Sequence, residues 1–161
     1  MLQLPAIPVA PGLAVGEAMV VRDLREGVER QPIEEQQVDA ECLRVQDALE
    51  YVASELEQDR DRVKVDLGAE AAEIFAFHLG LLRDPALRGA ILNRIRDNFD
   101  DAAHATAESI LDLSRRFQAL NDPIFREKAD DLLDLERRLL RRLGALGEDR
   151  IQSIDRPVIL I

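Results

Sequence analysis

The sequence predicts a mainly α-helical protein whose long helices pack side by side, with short strands towards its two ends. Three features of the chain point there. Residues 33–67 place apolar side chains at alternating spacings of four and three, the period of a helix lying lengthwise against a neighbour. Apolar residues make up 47% of the 161 but aromatics only 4%, with no Trp, which favours helices joined through aliphatic side chains. The ends read differently: Pro5, Pro8 and Pro11 exclude helix near the start, and Pro157–Ile161 is an apolar, β-branched run.

Leu4–Ala10 reads as an extended edge strand, Pro11-Gly12 as a turn, and Glu17–Arg22 as a second strand antiparallel to the first. A polar connection from Gly27 to Pro32 leads into a helix over Ile33–Leu67. Its seam is Val38, Cys42, Val45, Leu49, Val52 and Leu56, resuming at Val63 and Leu67. At 1.5 Å per residue this helix is roughly 50 Å long, which implies a hairpin partner. Gly68 ends it. Glu70–Arg83 is a shorter helix with Ile74, Phe75, Phe77, His78, Leu81 and Leu82, broken by Asp84-Pro85. Ala86–Phe99 resumes through Leu87, Ile91, Leu92 and Ile95. Asp100 or Asp101 caps a helix that runs to Leu120 through Ala103, Thr106, Ile110, Leu113 and Phe117. Asn121-Asp122-Pro123 starts the last helix, which turns Phe125, Leu132, Leu135 and Leu139 inward, runs to Leu143 and stops at Gly144.

The composition excludes several classes of function. With 21 Lys and Arg against 32 Asp and Glu, the net charge is −11, the wrong sign for a phosphate-backbone binder, so nucleic acid is not an expected partner. Residues 33–67 alone carry 11 acids and 4 bases, a surface that would steer a basic partner. No run approaches the ~18 apolar residues of a membrane span, so no membrane role is expected. The start of the chain lacks the basic region of a secretory signal, and the single Cys42 has no internal disulfide partner, which makes the cytoplasm the expected compartment.

Self-contained chemistry is also missing from the pattern. Neither G-x-G-x-x-G nor G-x-x-x-x-G-K occurs. His78 and His104 are 26 residues apart, and Asp101-x-x-His104 is one half of what a helical di-iron site needs, so neither metal nor cofactor is expected in this chain. Glu127, Asp130, Asp131 and Asp134 alternate with Arg126, Lys128, Arg137 and Arg138 at the spacings of surface ion pairs. Cys42 lies in the apolar seam and reads as a small packed residue rather than a nucleophile. The Glu70–Leu82 helix stands apart: apolar groups on more than one face, His78 in the apolar row and Gly80 in the interior suit either core packing or a docking surface.

The order of these features resembles the N-terminal region of Enzyme I of the bacterial phosphotransferase system, the phosphoenolpyruvate–protein phosphotransferase. Residues Ala6 to Ala18 (AIPVAPGLAVGEA) are similar to that family's opening G-I-x-A-S-P-G-I-A-I-G-x-A. Ile74–Asp84 resembles its I-F-x-x-H-x-x-L-L-x-D helix, and Asp101-Ala102-Ala103-His104 its D-A-A segment. Asp122–Leu140 is similar to D-x-Y-L-R-E-R-A-x-D-x-x-D-x-x-R-R-L-L. Together these segments span nearly the whole chain in the family's order.

The resemblance implies two helical hairpins forming a four-helix, V-shaped bundle over residues 33–144. That bundle is inserted into an α/β phosphohistidine subdomain, to which 1–32 contribute the first strands and 145–161 the return linker and the next strand, near Val158. It further implies that the helices dock the phosphocarrier protein HPr. The docking face would be Ile74, His78, Leu81 and Leu82, with Glu70, Glu73 and Asp84 around it and Lys128 nearby. In the family, phosphoenolpyruvate on a separate C-terminal barrel, with Mg, phosphorylates a histidine in a G-G-x-x-S-H-type motif, and the phosphoryl group passes to HPr. Neither His78 nor His104 matches that motif, so no catalytic residue is expected in this chain, which should be inactive alone. The apolar run at 157–161 is expected to continue beyond Ile161 in the parent protein.

This chain departs from the family where Ala76, Pro85 and Ala86 replace acids and Lys128 replaces an Arg. Fewer acids weaken the steering of a basic carrier, which leaves a nitrogen-branch carrier open beside the sugar-transport one. Two readings of another class also stand on the residues: a helical adaptor using the acidic 33–67 helix, and a dimer formed through its heptad seam.

Overall fold

The computed structural model describes residues 16–19, 28–120, 122–145 and 158–160. The chain divides into two compact units, one made of Met1–Asp23 with Glu148–Ile161 and the other of Leu24–Gly147. In the first, strand β1 (Glu17–Met19) pairs in parallel with β2 (Val158–Leu160), Ala18 opposite Ile159. The strand expected near Val158 is therefore present. The expected Leu4–Ala10 strand, its antiparallel pairing and the Pro11-Gly12 turn lie outside the described residues.

The described elements of the second unit are all helical. Its order is a 3₁₀ turn (Glu35–Gln37), α1 (Val38–Leu67), α2 (Glu73–Leu82), α3 (Pro85–Asn98), α4 (Ala102–Ala119) and α5 (Pro123–Arg142). Helix α1 packs along α2 and α3, and α4 packs along α5, so two hairpins form, with α2 and α3 acting as one interrupted leg.

Helix α1 begins five residues later than its apolar pattern predicts. Glu34 is extended (φ −84°, ψ 156°), and its amide donates to Gln37 Oε1 at 2.8 Å. The Ile33 amide is used elsewhere, donating to the Phe99 carbonyl at 3.0 Å. The far end stops as expected at Gly68, whose φ of +94° favours glycine. Helix α2 starts at Glu73 rather than Glu70, because residues 69–72 form a turn closed by Ala72 N–H to the Ala69 carbonyl.

The remaining boundaries follow local chemistry. Asp84 is extended and accepts from the Ala86 amide at 2.8 Å, so it caps α3 with Pro85 at the first helical position. Asp101 caps α4, with Oδ1 accepting from the Ala103 and His104 amides and Oδ2 from the Gln31 amide. Glu41 of α1 accepts the Ala102 amide at 2.8 Å, and buried Asp100 holds Arg30. Helix α5 ends in a Schellman motif: Gly144 has φ +72°, its amide donates to Arg141, and Ala145 donates to Leu140.

The core of this unit is the α1 seam. Cys42, Val45, Leu49, Val52 and Leu56 are buried against Leu79 and Leu82 of α2, Leu87, Ile91 and Ile95 of α3, Ile110 of α4, and Leu132, Leu135 and Leu139 of α5. This corrects two expectations. The seam is consumed within the chain, which leaves no heptad face for a coiled-coil dimer. It also stops at Leu56: Val63 is only half-buried, and Leu67 is 73% exposed, since the chain beyond it turns instead of laying a helix along it. Phe125, expected inward, is 40% exposed, for it belongs to an aromatic row at the surface.

The position of the seam's end is testable by chemical denaturation. Leu49→Ala is expected to cost about 2–5 kcal/mol through transfer and cavity terms. Leu67→Ala should change stability by no more than about 0.5 kcal/mol. Comparable losses from both would show that the last turns of α1 are packed after all.

Candidate functional site: the corner of α2, α4 and α5

One turn after another, α2 brings the residues of interest to a single edge. Glu73, Ile74, Phe77 and Leu81 follow the i, i+3, i+4 spacing of one helical face, and Asp84 lies just past its end. Glu73 and Asp84 are exposed, Ile74 is 44% exposed, and Phe77 and Leu81 are half-buried. Glu70, in the turn before α2, is exposed as well. Leu82 does not join them: it is 2% exposed and part of the core. Residues 78 and 82 share the row that also brings Leu79 inward, so Leu82 offers nothing to a partner, and His78 is itself only 8% exposed.

The apolar edge extends further than the expected docking residues, through an aromatic row. The rings of Phe77 and His78 lie 5.9 Å apart, Phe77 and Phe117 of α4 6.5 Å, and Phe117 and Phe125 of α5 5.5 Å in an edge-on arrangement. Lys128 completes the corner. Its ammonium sits 4.7 Å from the centre of the Phe77 ring and 2.9 Å from Asp131. A cation above a ring face and beside a carboxylate is held by both, so Lys128 is fixed in place rather than swinging freely. Spacing could have shown Phe77 on this face, four residues before Leu81. Phe117 and Phe125 enter only through the pairing of α4 with α5.

Arg83 and Arg138 tie this corner to α1. Arg83 forms an ion pair with Glu57 of α1, and Arg138 of α5 reaches Asp59 of α1 at 3.2 Å. Arg83 is thereby paired, and the exposed acids Glu70, Glu73 and Asp84 border the apolar edge at α2.

His78 Nε2 has no hydrogen-bond partner among the described residues. Burial pushes the imidazole below the ordinary histidine range. Asp131 opposes that shift, Lys128 and Arg138 add to it, and Asp134 opposes it weakly. The ring is therefore neutral at pH 7, an apolar wall with a polar edge. His104 stands at the start of α4, where its backbone amide is capped by Asp101. Cys42 is buried in the seam, and burial raises its thiol pKa, the opposite of an activated nucleophile. Among the described residues no three His, Cys, Asp or Glu side chains converge to hold a metal, and no helix is long and apolar enough to cross a membrane.

Among the described residues this corner is an apolar surface bordered by acids, with no nucleophile or acid–base pair on it. The family comparison agrees with the class of protein. Residues 5–128 match the family "PEP-utilising enzyme, N-terminal", and the chain belongs to it. Among its relatives is the phosphoenolpyruvate-protein phosphotransferase of Priestia megaterium, 30% identical over 99% of this chain and 27% of that protein. The Haemophilus influenzae protein of the same name is 29% identical over 94% of this chain and 26% of its own length. The chain thus spans about a quarter of the length of these relatives. A solved structure titled as the N-terminal domain of Enzyme 1 - Nitrogen superposes with a TM-score of 0.71 at 29% identity, covering 96% of this chain and 62% of that one. The solution structure of an Enzyme I protein (nEIt) gives a TM-score of 0.70 at 28% identity, over 94% and 61% of the two chains.

The neutral, unpartnered state of His78 predicts a pH dependence. A histidine whose folded pKa lies below its unfolded value contributes stability fully above about pH 6.5, and that contribution is lost as pH falls through the lower folded value. Urea unfolding at pH 7.5 and 5.5 should show the wild type losing stability on acidification, and His78→Leu losing less. Equal losses would mean that His78 protonates as readily folded as unfolded.

Proposed function

We propose that this chain is the phosphocarrier-docking part of an Enzyme I-type phosphoenolpyruvate–protein phosphotransferase, and that an HPr-type carrier docks on the corner of α2, α4 and α5. The observation that carries the reading is the part-exposed edge of Ile74, Phe77, Leu81 and Phe125, rimmed by Glu70, Glu73 and Asp84, all within the residues that the family match covers. Such an edge suits a partner with an apolar face inside a basic border: the acids steer the encounter, and the apolar contact holds it. Lys128, pinned above Phe77, presents its remaining hydrogen-bonding capacity at the rim. In this reading Ile74, Leu81, Glu70, Glu73, Asp84 and Lys128 touch the carrier, while His78 supports the surface from beneath.

The whole enzyme, in this reading, transfers phosphoryl from phosphoenolpyruvate to a histidine and then to the carrier in the cytoplasm. Mg and phosphoenolpyruvate belong to its C-terminal barrel, a second partner of this chain. Residues 33–144 are the docking subdomain, and 1–32 with 145–161 are parts of the phosphohistidine subdomain. His78 is too buried to be an acceptor, and His104 lies at a capped helix start outside any G-G-x-x-S-H-type motif. The chain therefore docks a carrier but does not itself accept phosphoryl.

Titrating the isotope-labelled chain with HPr at low and at high salt tests the docking reading by NMR. Shifts are expected on Ile74–Asp84, Phe125 and Lys128, weaker at high salt because exposed charges are screened. Absence of shifts with both a sugar-branch and a nitrogen-branch carrier would remove the docking assignment. Incubation with phosphoenolpyruvate and Mg should leave the chain unmodified, and phosphohistidine on it would refute the claim of inactivity.

A further inference from the structure

Lys128 is a cation at an edge whose exposed border is acidic. A bare ammonium there would oppose the attraction that Glu70, Glu73 and Asp84 exert on a basic partner. Its surroundings remove that conflict. Nζ lies 2.9 Å from Asp131 Oδ2 and 4.7 Å from the centre of the Phe77 ring, and the Lys128 and Asp131 side chains are only 31% and 24% exposed. A close pair of opposite charges cancels at the range of an approaching protein, while each group keeps its hydrogen-bonding chemistry at contact. Asp134, one turn further along α5, is a contrast: its side chain is 70% exposed and it pairs with Arg137 at 3.3 Å.

An ammonium has three N–H donors. Asp131 accepts from one, and the ring face attracts the cation as a whole, so donor capacity is left over. A carboxylate brought to it by a partner would meet Asp131 as a like charge, whereas a neutral oxygen would not. We propose that Phe77 and Asp131 hold Lys128 as a charge-masked donor, and that the docked carrier meets it with a neutral oxygen (of a backbone carbonyl, an amide or a hydroxyl) rather than with a carboxylate. Phe77 is then a positioning residue, acting on the carrier through Lys128. The family pattern leaves position 77 unspecified and assigns it no such role. The inference rests on the docking reading and adds to it the chemistry that the carrier presents at this point.

Variants of the full chain test both halves, with binding of purified HPr and of its nitrogen-branch counterpart measured by calorimetry at pH 7.5. Asp131→Asn unmasks Lys128 at almost constant volume. For the carrier that the wild type binds, it is expected to weaken binding about three- to tenfold at low salt, and less at high salt. Asp134→Asn makes the same change in net charge one turn away and should stay within about twofold of wild type. Tighter binding by Asp131→Asn would show that the carrier brings a carboxylate to Lys128 and would overturn the proposal, as would equal losses in the two Asn variants. The Phe77 variants do not depend on Asp131→Asn folding. Phe77→Leu should weaken binding at least about threefold and abolish the upfield shift that the ring gives the Lys128 ε-methylene protons, while Phe77→Tyr restores both. The loss from Phe77→Leu should disappear in a Lys128→Met chain. A loss that persists there in full, or Phe77→Leu binding as well as wild type, would end the positioning role and leave the docking reading intact. A wild-type chain that binds neither carrier would overturn the docking reading as well.

Discussion

Burial of one helical seam organises the larger unit. Cys42, Val45, Leu49, Val52 and Leu56 present a continuous apolar row on α1, and each of the other four helices packs against that helix. Such a row is unstable in water at about 25 cal/mol per Å² of exposed apolar surface, and the short α2 and α3 are close to the length at which isolated helices are marginal. Each helix therefore depends on α1 for its stability. That dependence explains why a 10-residue helix with an interior glycine can be a firm platform. Leu79 and Leu82 anchor α2 from below, so its opposite face can be given over to exposed groups without loss of the helix.

A second constraint holds the α3–α4 corner. Asp101 caps α4 with one oxygen and binds the Gln31 amide with the other, while Glu41 takes the Ala102 amide and Asp100 holds Arg30. Four acids and bases that would read as surface charge in the sequence are thus assigned to backbone donors and to one another. The space that this corner borders, about 500 Å³, is lined by Glu41, Arg44 and Asp101 among others, and those three are engaged in bonds: Glu41 and Asp101 as above, and Arg44 to Glu41 and to the Leu143 carbonyl. It is a structural junction, in contrast to the α2 edge, where Glu70 and Glu73 are exposed and serve no such bond.

The proposed docking function follows from that contrast. Acids committed to capping stabilise the fold, whereas Glu70 and Glu73 border an apolar edge and are free to act at long range on an approaching basic surface. Asp84 does both, since it caps α3 while its side chain remains at the rim. The same economy appears at Lys128, held between Phe77 and Asp131. A pre-positioned cation loses less conformational freedom on binding than a mobile one.

Much of this protein was determined by the sequence alone. The 4, 3, 4 spacing set the inward face of α1 as far as Leu56, Asp84-Pro85 and Asp101 marked helix starts through capping chemistry, and Gly68 and Gly144 marked ends through positive φ. Of the proposed docking edge, Ile74, Leu81 and the acids were legible only through the family resemblance, whose helix motif lies in one short segment. Tertiary structure decided the rest. Ile33 was drawn out of α1 by the Phe99 carbonyl, and the seam ended where no neighbouring helix covered Leu67. Leu82 went to the core, while Phe117 and Phe125 came to the surface edge beside Phe77. Local periodicity reports which residues share a face. Which face is covered depends on where distant helices end, and that is a property of the packed chain.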